Sequence, residues 1–268
     1  MWQDDNAFLD TFLDDDAEEE TGPLGVDIDV MYNLFDAVYN HDVELFIHLL
    51  RLYPNVNVNY TLEQYLRVPL LVFAAHCIRH NDVHIIRLLL AHGANVNAKS
   101  NYPHIEHHMM NLFEKLTGKT PLFSACQSGR MIVIEYLLQN GADPDIPDNQ
   151  GMTPLLWASK SGHFNIVDLL CKANANVNAT YTDTQTDLFW SALSAAAVNK
   201  HEFIVYYLLL HGADPRIGFV PTNRFVQAQP YHFNSAKECI AWHAMRVEQG
   251  LPFMLSTQPM TDLWFQLP

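Results

Sequence analysis

Residues 118–150 read GKTPLFSACQSGRMIVIEYLLQNGADPDIPDNQ, and residues 151–179 read GMTPLLWASKSGHFNIVDLLCKANANVNA. Gly129 and Gly162, Leu137 and Leu170, and Gly141 and Asn174 each stand 33 residues apart. A fixed period of that length marks an architecture in which one small unit is stacked on copies of itself. The chemistry inside each copy is local. Thr120 and Thr153 are placed to cap a helix whose first residue, Pro121 or Pro154, lacks an N–H that the first turn would leave unbonded anyway. Ala125 and Cys126, like Ala158 and Ser159, are small, so a neighbouring helix can approach closely. Gly129 and Gly162 break the chain, and a second helix follows with Val133, Ile134, Leu137 and Leu138 on one face. Gly141 then ends it as a left-handed cap.

Thr-Pro-Leu, a small-residue helix, Ser-Gly, a Leu-Leu helix and Gly/Asn-Ala-Asp/Asn, in that order, resemble the ankyrin repeat. The unit recurs outward in weaker form. Phe73 to Asn97 keeps Leu90, Gly93 and Asn97 in place of Leu138, Gly141 and Asp145, and Pro69 lies about one turn too far upstream, so a longer first helix or an irregular start is expected there. Tyr32 to Asn59 forms a first, partly capping copy, and Ser191 to Asp214 matches at a spacing of 38 with a finger five residues longer. Five copies are read, at approximately 30–60, 68–97, 119–149, 151–180 and 190–216, with an insertion at 98–116. The expected fold is therefore an all-α ankyrin solenoid of helix-turn-helix units with finger loops, one continuous stack rather than several domains.

The flanks differ from the stack. Residues 1–29 hold eleven acidic residues and no basic one, which leaves −4 of the net charge of −15 for the rest. Phe8, Leu9, Phe12 and Leu13 could line one side of a short helix that docks on a partner or folds back, or the segment is a disordered solubilising tail. After Arg216 the pattern fades until a helix at about Asn234–Gln249, whose Ile240, Ala241, Ala244, Met245 and Val247 can close the stack; an apolar tail follows to residue 268. The near-neutral stack has no Lys/Arg stripe, which argues against nucleic acid or an anionic membrane as ligand. The longest apolar run, Phe203 to Leu210, is too short to span a membrane, and the acidic start is unlike a secretory leader. Cys77, Cys126, Cys171 and Cys239 fall in separate predicted helices, as buried thiols do in a reducing, cytoplasmic compartment.

The resemblance implies a protein partner held on the concave surface of fingers and first helices. The positions the repeat leaves free are Gln127 and Ser128, Lys160 and Ser161, and Asn199 and Lys200 at the first-helix ends, with Asn149, Gln150 and Met152 in one finger and Tyr181 in the long one. Tyr102, His104, His107, Met109 and Phe113 in the insertion are further candidates, because long loops on a rigid stack often carry specificity. Trp157 is either core or a concave anchor. His92, His163, His201 and His211 stand where the repeat commonly uses a polar residue to bond between units. Asn97 and Asn178 occupy positions at which ankyrin proteins can be substrates of an asparaginyl hydroxylase.

No phosphate-binding glycine loop, nucleophile elbow, H-E-x-x-H or C-x-x-C pattern is present. His104, Glu106, His107 and His108 are ligand types, but adjacent histidines diverge on a helix and no cysteine joins them, so no metal is expected. Cys239 and His243 lack a third orienting group. The expectation is a non-enzymatic, cofactor-free interaction module, monomeric on its own, acting as an intracellular adaptor or as a bacterial effector secreted into a host cell. The alternative is an enzyme that uses the stack as scaffold, with chemistry in the insertion or the C-terminal segment.

Overall fold

The computed structural model describes residues 28–62, 67–77, 83–99, 118–183, 188–214 and 217. Among them ten helices form five helix-turn-helix pairs: α1 (Ile28–Tyr39) and α2 (Val43–Leu52), α3 (Leu70–Cys77) and α4 (His84–Ala91), α5 (Pro121–Gln127) and α6 (Met131–Gln139), α7 (Pro154–Ser161) and α8 (Phe164–Lys172), α9 (Ala192–Val198) and α10 (Glu202–Leu210). The first helices pack each on the next, α1 on α3, α3 on α5, α5 on α7 and α7 on α9, and every pair closes on itself. This is the stack that the 33-residue period predicts.

Local signals act as the residue types require. Thr120 accepts from Phe123 N at 3.2 Å and Thr153 from Leu156 N at 3.3 Å, each with proline at the first helical position. In α9, Ser191 and Ser194 cap reciprocally, Ser194 N donating to Ser191 Oγ at 3.2 Å and Ser191 N to Ser194 Oγ at 2.8 Å. Second helices end alike: Ala94, Ala142, Ala175 and Ala213 donate their N–H to the carbonyls of Leu89, Leu137, Leu170 and Leu208 at 2.9–3.0 Å. The residue before each alanine must be left-handed, and it is Gly141 (φ +86°) in one copy and Asn174 (φ +60°) in the next. The closing Leu89, Leu137, Leu170 and Leu208 are wholly buried, in a core that runs unbroken from Val30 to Ala213. Full burial of each leucine is worth about 1.5–3 kcal/mol.

Two details refine the sequence reading. The second repeat starts regularly, with Pro69 O accepting from Val72 N and Phe73 N, and helix α3 is described as far as Cys77; the extra length expected before Asn81 lies outside the described residues. The long finger of the last pair is an antiparallel hairpin, β1 (Thr180–Asp183) and β2 (Leu188–Ser191), the one sheet among the described residues of an otherwise helical fold. Its alternation is legible in Thr-Tyr-Thr against Phe-Trp-Ser, a period of two inside a chain dominated by helical periods.

Candidate partner-binding surface

The fingers are held by a repeated asparagine device. In each Asn/Asp-x-Asn/Asp pair the first side chain turns back on its own finger: Asn57 Oδ1 accepts from Asn59 N at 3.1 Å, Asn95 Oδ1 from Asn97 N at 3.0 Å, Asp143 Oδ1 from Asp145 N at 2.9 Å and Asn176 Oδ1 from Asn178 N at 3.0 Å. The second side chain reaches the next finger. Asn59 donates to Gly93 O at 2.8 Å and accepts from Asn95 N at 2.7 Å. Asn97 donates to Gly141 O at 3.3 Å and accepts from Asp143 N at 2.9 Å. Asn178 donates to Gly212 O at 3.2 Å and accepts from Asp214 N at 2.7 Å. Asp145 breaks the series, because a carboxylate only accepts, and it takes Asn176 N at 2.8 Å. Asn97 and Asn178 are thus half-buried rungs whose amides are bonded on both sides.

The long finger is fixed by a second, small apolar cluster of Phe123, Met152, Leu156, Tyr181 and Ala195, with Trp157 and Trp190 against it. In the register, Tyr181 faces Trp190 and Thr182 faces Phe189, so one face of the hairpin packs inward and the other faces solvent. This revises two candidates. Met152 and Tyr181, read from sequence as partner-facing, are only 7% and 9% exposed and hold the finger to the stack. Phe189, which the sequence reading passed over, is 61% exposed. Trp157 is half-buried between both clusters and stacks on His163 at 5.2 Å between ring centres, so it belongs with the core.

Of the remaining candidates, Lys160, Ser161, Asn199 and Lys200 are exposed at the ends of α7 and α9, and Asn149 and Gln150 in their finger, while Gln127 and Ser128 are half-buried. Several have structural duties as well. Asn149 lies over Gly118, where a Cβ would fall 2.1 Å from its Cγ. Ser128 donates to Ser124 O at 2.9 Å; with its one proton so used, its Oγ accepts from His76 Nδ1 at 2.9 Å and ties α5 to α3. His201 Nε2 donates to Lys160 O at 3.1 Å and ties the last two pairs together in the same way. His92 and His211, expected to bond between units, instead donate back within their own helices, to Leu88 O at 2.8 Å and Tyr207 O at 2.9 Å. Tyr102, His104, His107, Met109 and Phe113, with Glu106 and His108, lie outside the described residues, as do Cys239 and His243. Among the described residues no three His, Cys, Asp or Glu side chains converge as a metal site would require.

On the second helices, Asp168 joins α8 to α10. Lys172 Nζ donates to it at 2.8 Å and Tyr207 Oη at 2.6 Å. The bond from Lys172, and after it the bond from Tyr207, holds the Asp168 carboxyl below its ordinary value. The Tyr207 phenol is pushed up to about 12, first by burial and then by donating to Asp168. Burial likewise raises the Cys126 thiol far above its usual range and Cys171 to about 11, so neither is a ready nucleophile. No described helix is long and apolar enough to cross a membrane.

A family model described as "Ankyrin repeats (3 copies)" matches residues 34–148, 103–181 and 151–219. No curated protein matches the chain. The matched ranges run from the first helix pair to the last, over more than half of the sequence, and the fold they imply is the stack of paired helices and bridged fingers described above: the chain belongs to the ankyrin-repeat family.

Proposed function

We propose that this protein is a non-enzymatic interaction module that holds one partner protein across the first-helix ends and fingers, as an intracellular adaptor or a host-directed effector. Ankyrin repeats are generally protein–protein interaction modules. The observation that carries the reading is the division of labour in the last two repeats. The residues that build the stack are buried or bonded into the ladder, while Lys160, Ser161, Asn199 and Lys200, with Asn149 and Gln150, stay exposed on one register of the repeat, and Phe189 stands out of an anchored hairpin. A large aromatic on a rigid support is the type of side chain that dominates interface energies. Two lysines in that row favour a partner surface that is acidic near an apolar pocket.

The test is affinity capture from cytosol with the full chain, followed by identification of what is retained. The Phe189→Ala and Lys160→Glu/Lys200→Glu variants are expected to lose at least ten-fold of the specific partner, and Glu135→Lys on a second helix to lose none. Deleting residues 98–116 separates a contribution of the insertion. Undiminished capture by the first two variants, with loss in Glu135→Lys, would move the site to the opposite face.

A further inference from the structure

We infer that residues 236–249, capped by Ser235, form the helix that closes the stack, packed against the outer side of α9. The two ends of the described stack are not alike. Helix α1, at one end, carries exposed Asp29 and Asn33, four apart, and half-buried Asp36, and exposed Asn40 follows its last residue; it has an open polar side. At the other end, Ala192, Leu193, Ser194, Ala195, Ala196 and Ala197 are each at most 4% exposed. Six successive residues at 100° each go more than once around a helix, so α9 is enclosed on every side up to its last residue, Val198, which is exposed. The described elements packed on it are α7, α10 and β2, whereas the equally enclosed α3 and α5 each have a first helix on both flanks. Its sequence agrees, because ALSAAAV offers no polar face for solvent, and the end unit of a repeat stack needs one.

The occupant is written in the chain that follows. Phe189, Ser191, Ala192 and Ala197 recur 44 residues later as Phe233, Ser235, Ala236 and Ala241. Ser191 caps α9 with Ser194 reciprocating three residues on; Ser235 has Glu238 at the same place, the stronger form of that box. Ala236, Ile240, Ala244 and Val247 make one small apolar stripe suited to close approach, and the opposite side is mixed, with Glu238 and Gln249 at its ends and Trp242 and Met245 between them. The outgoing chain is also tethered where a next repeat begins: Ser191 Oγ donates to Ile217 O at 3.0 Å, at the cap of α9 itself.

Amide hydrogen exchange on the full chain tests the assignment. In the wild type the amides of α9 exchange as slowly as those of α5, and those of 240–249 are protected with them. Ile240→Asp speeds exchange of α9 at least ten-fold and leaves α3 and α5 unchanged, while Gln249→Lys, across the helix from Ile240, changes neither. Should Ile240→Asp also speed α3 and α5, the milder Ser235→Gly decides: it has to speed 235–249 and α9 together, before α5. Unprotected amides at 240–249 beside a protected α9, or an α9 whose protection depends on protein concentration, would overturn the proposal, the second outcome assigning that face to a second copy of the chain.

Discussion

Exchanging Asn97 and Asp145 between their side chains isolates the ladder's contribution. Asn97→Asp keeps the acceptor for Asp143 N at 2.9 Å and deletes the donor to Gly141 O at 3.3 Å, placing two unprotonated oxygens face to face. A net hydrogen bond is worth about 0.5–1.5 kcal/mol, and Gly141 is exposed enough for water to replace it, so a loss near 1 kcal/mol is expected. Asn97→Ala forfeits both bonds and should cost about 1–2 kcal/mol, against roughly half of that for Asp145→Ala, which loses the bond from Asn176 N alone. Asp145→Asn adds the missing donor toward the carbonyl of Asn174, in the place of Gly141, and should raise stability by about 0.5–1 kcal/mol. Because the chain carries a net charge of −15, removing any carboxylate helps somewhat, and Asp143→Asn controls for that: it removes the same charge while keeping the acceptor of its turn. Urea denaturation followed by circular dichroism measures each, a change of 1 kcal/mol moving the midpoint by about 0.5 M at a slope near 2 kcal/mol/M. Equal losses for Asn97→Ala and Asp145→Ala, or a neutral Asn97→Asp, would show that the amide donors contribute nothing and that burial alone aligns the fingers.

Other outcomes follow from single contacts. Gly162→Ala puts a Cβ 2.5 Å from His201 Cε1 at φ +80°, whereas at Gly141 (φ +86°) a Cβ meets nothing within 4 Å; thermal melts should show the first substitution costing about 1–2 kcal/mol more than the second. Ser159 Oγ is buried with no hydrogen-bond partner among the described residues, so Ser159→Ala should stabilise by about 1 kcal/mol in the same melts. Tyr207, with its pKa raised from 10.0 to about 12, favours the neutral phenol in the folded state; its contribution is complete below pH 10 and is lost as pH rises toward 12, so Tyr207→Phe should flatten the alkaline limb of a stability–pH profile. Asp168 has the opposite sense. Its depressed pKa contributes above the ordinary 3.8 and is lost as pH falls, so Asp168→Asn should flatten the acid limb.

The amino-acid sequence alone determined the repeat, its period and its helix ends, since each rests on a neighbour-to-neighbour rule: a threonine three residues before the N–H it caps, a proline where no donor is needed, a left-handed glycine or asparagine after the last leucine. It also held the Asn-x-Asn pattern of the ladder, although the partners of Asn59 and Asn97 lie 34 to 46 residues away and only the stacked fingers reveal them. The surface was less legible. Lys160, Ser161, Asn199 and Lys200 were found by asking which positions the repeat leaves free, and they are exposed. Met152 and Tyr181 were misread by the same question, because their burial is set by a hairpin that folds back over Leu156, and Phe189 is exposed because Tyr181, opposite Trp190, takes the inner face. Capping and turning are properties of a few adjacent residues and survive in a one-dimensional string. Which side of a finger meets water depends on what another finger, dozens of residues away, packs against it, and the tertiary structure alone decides that.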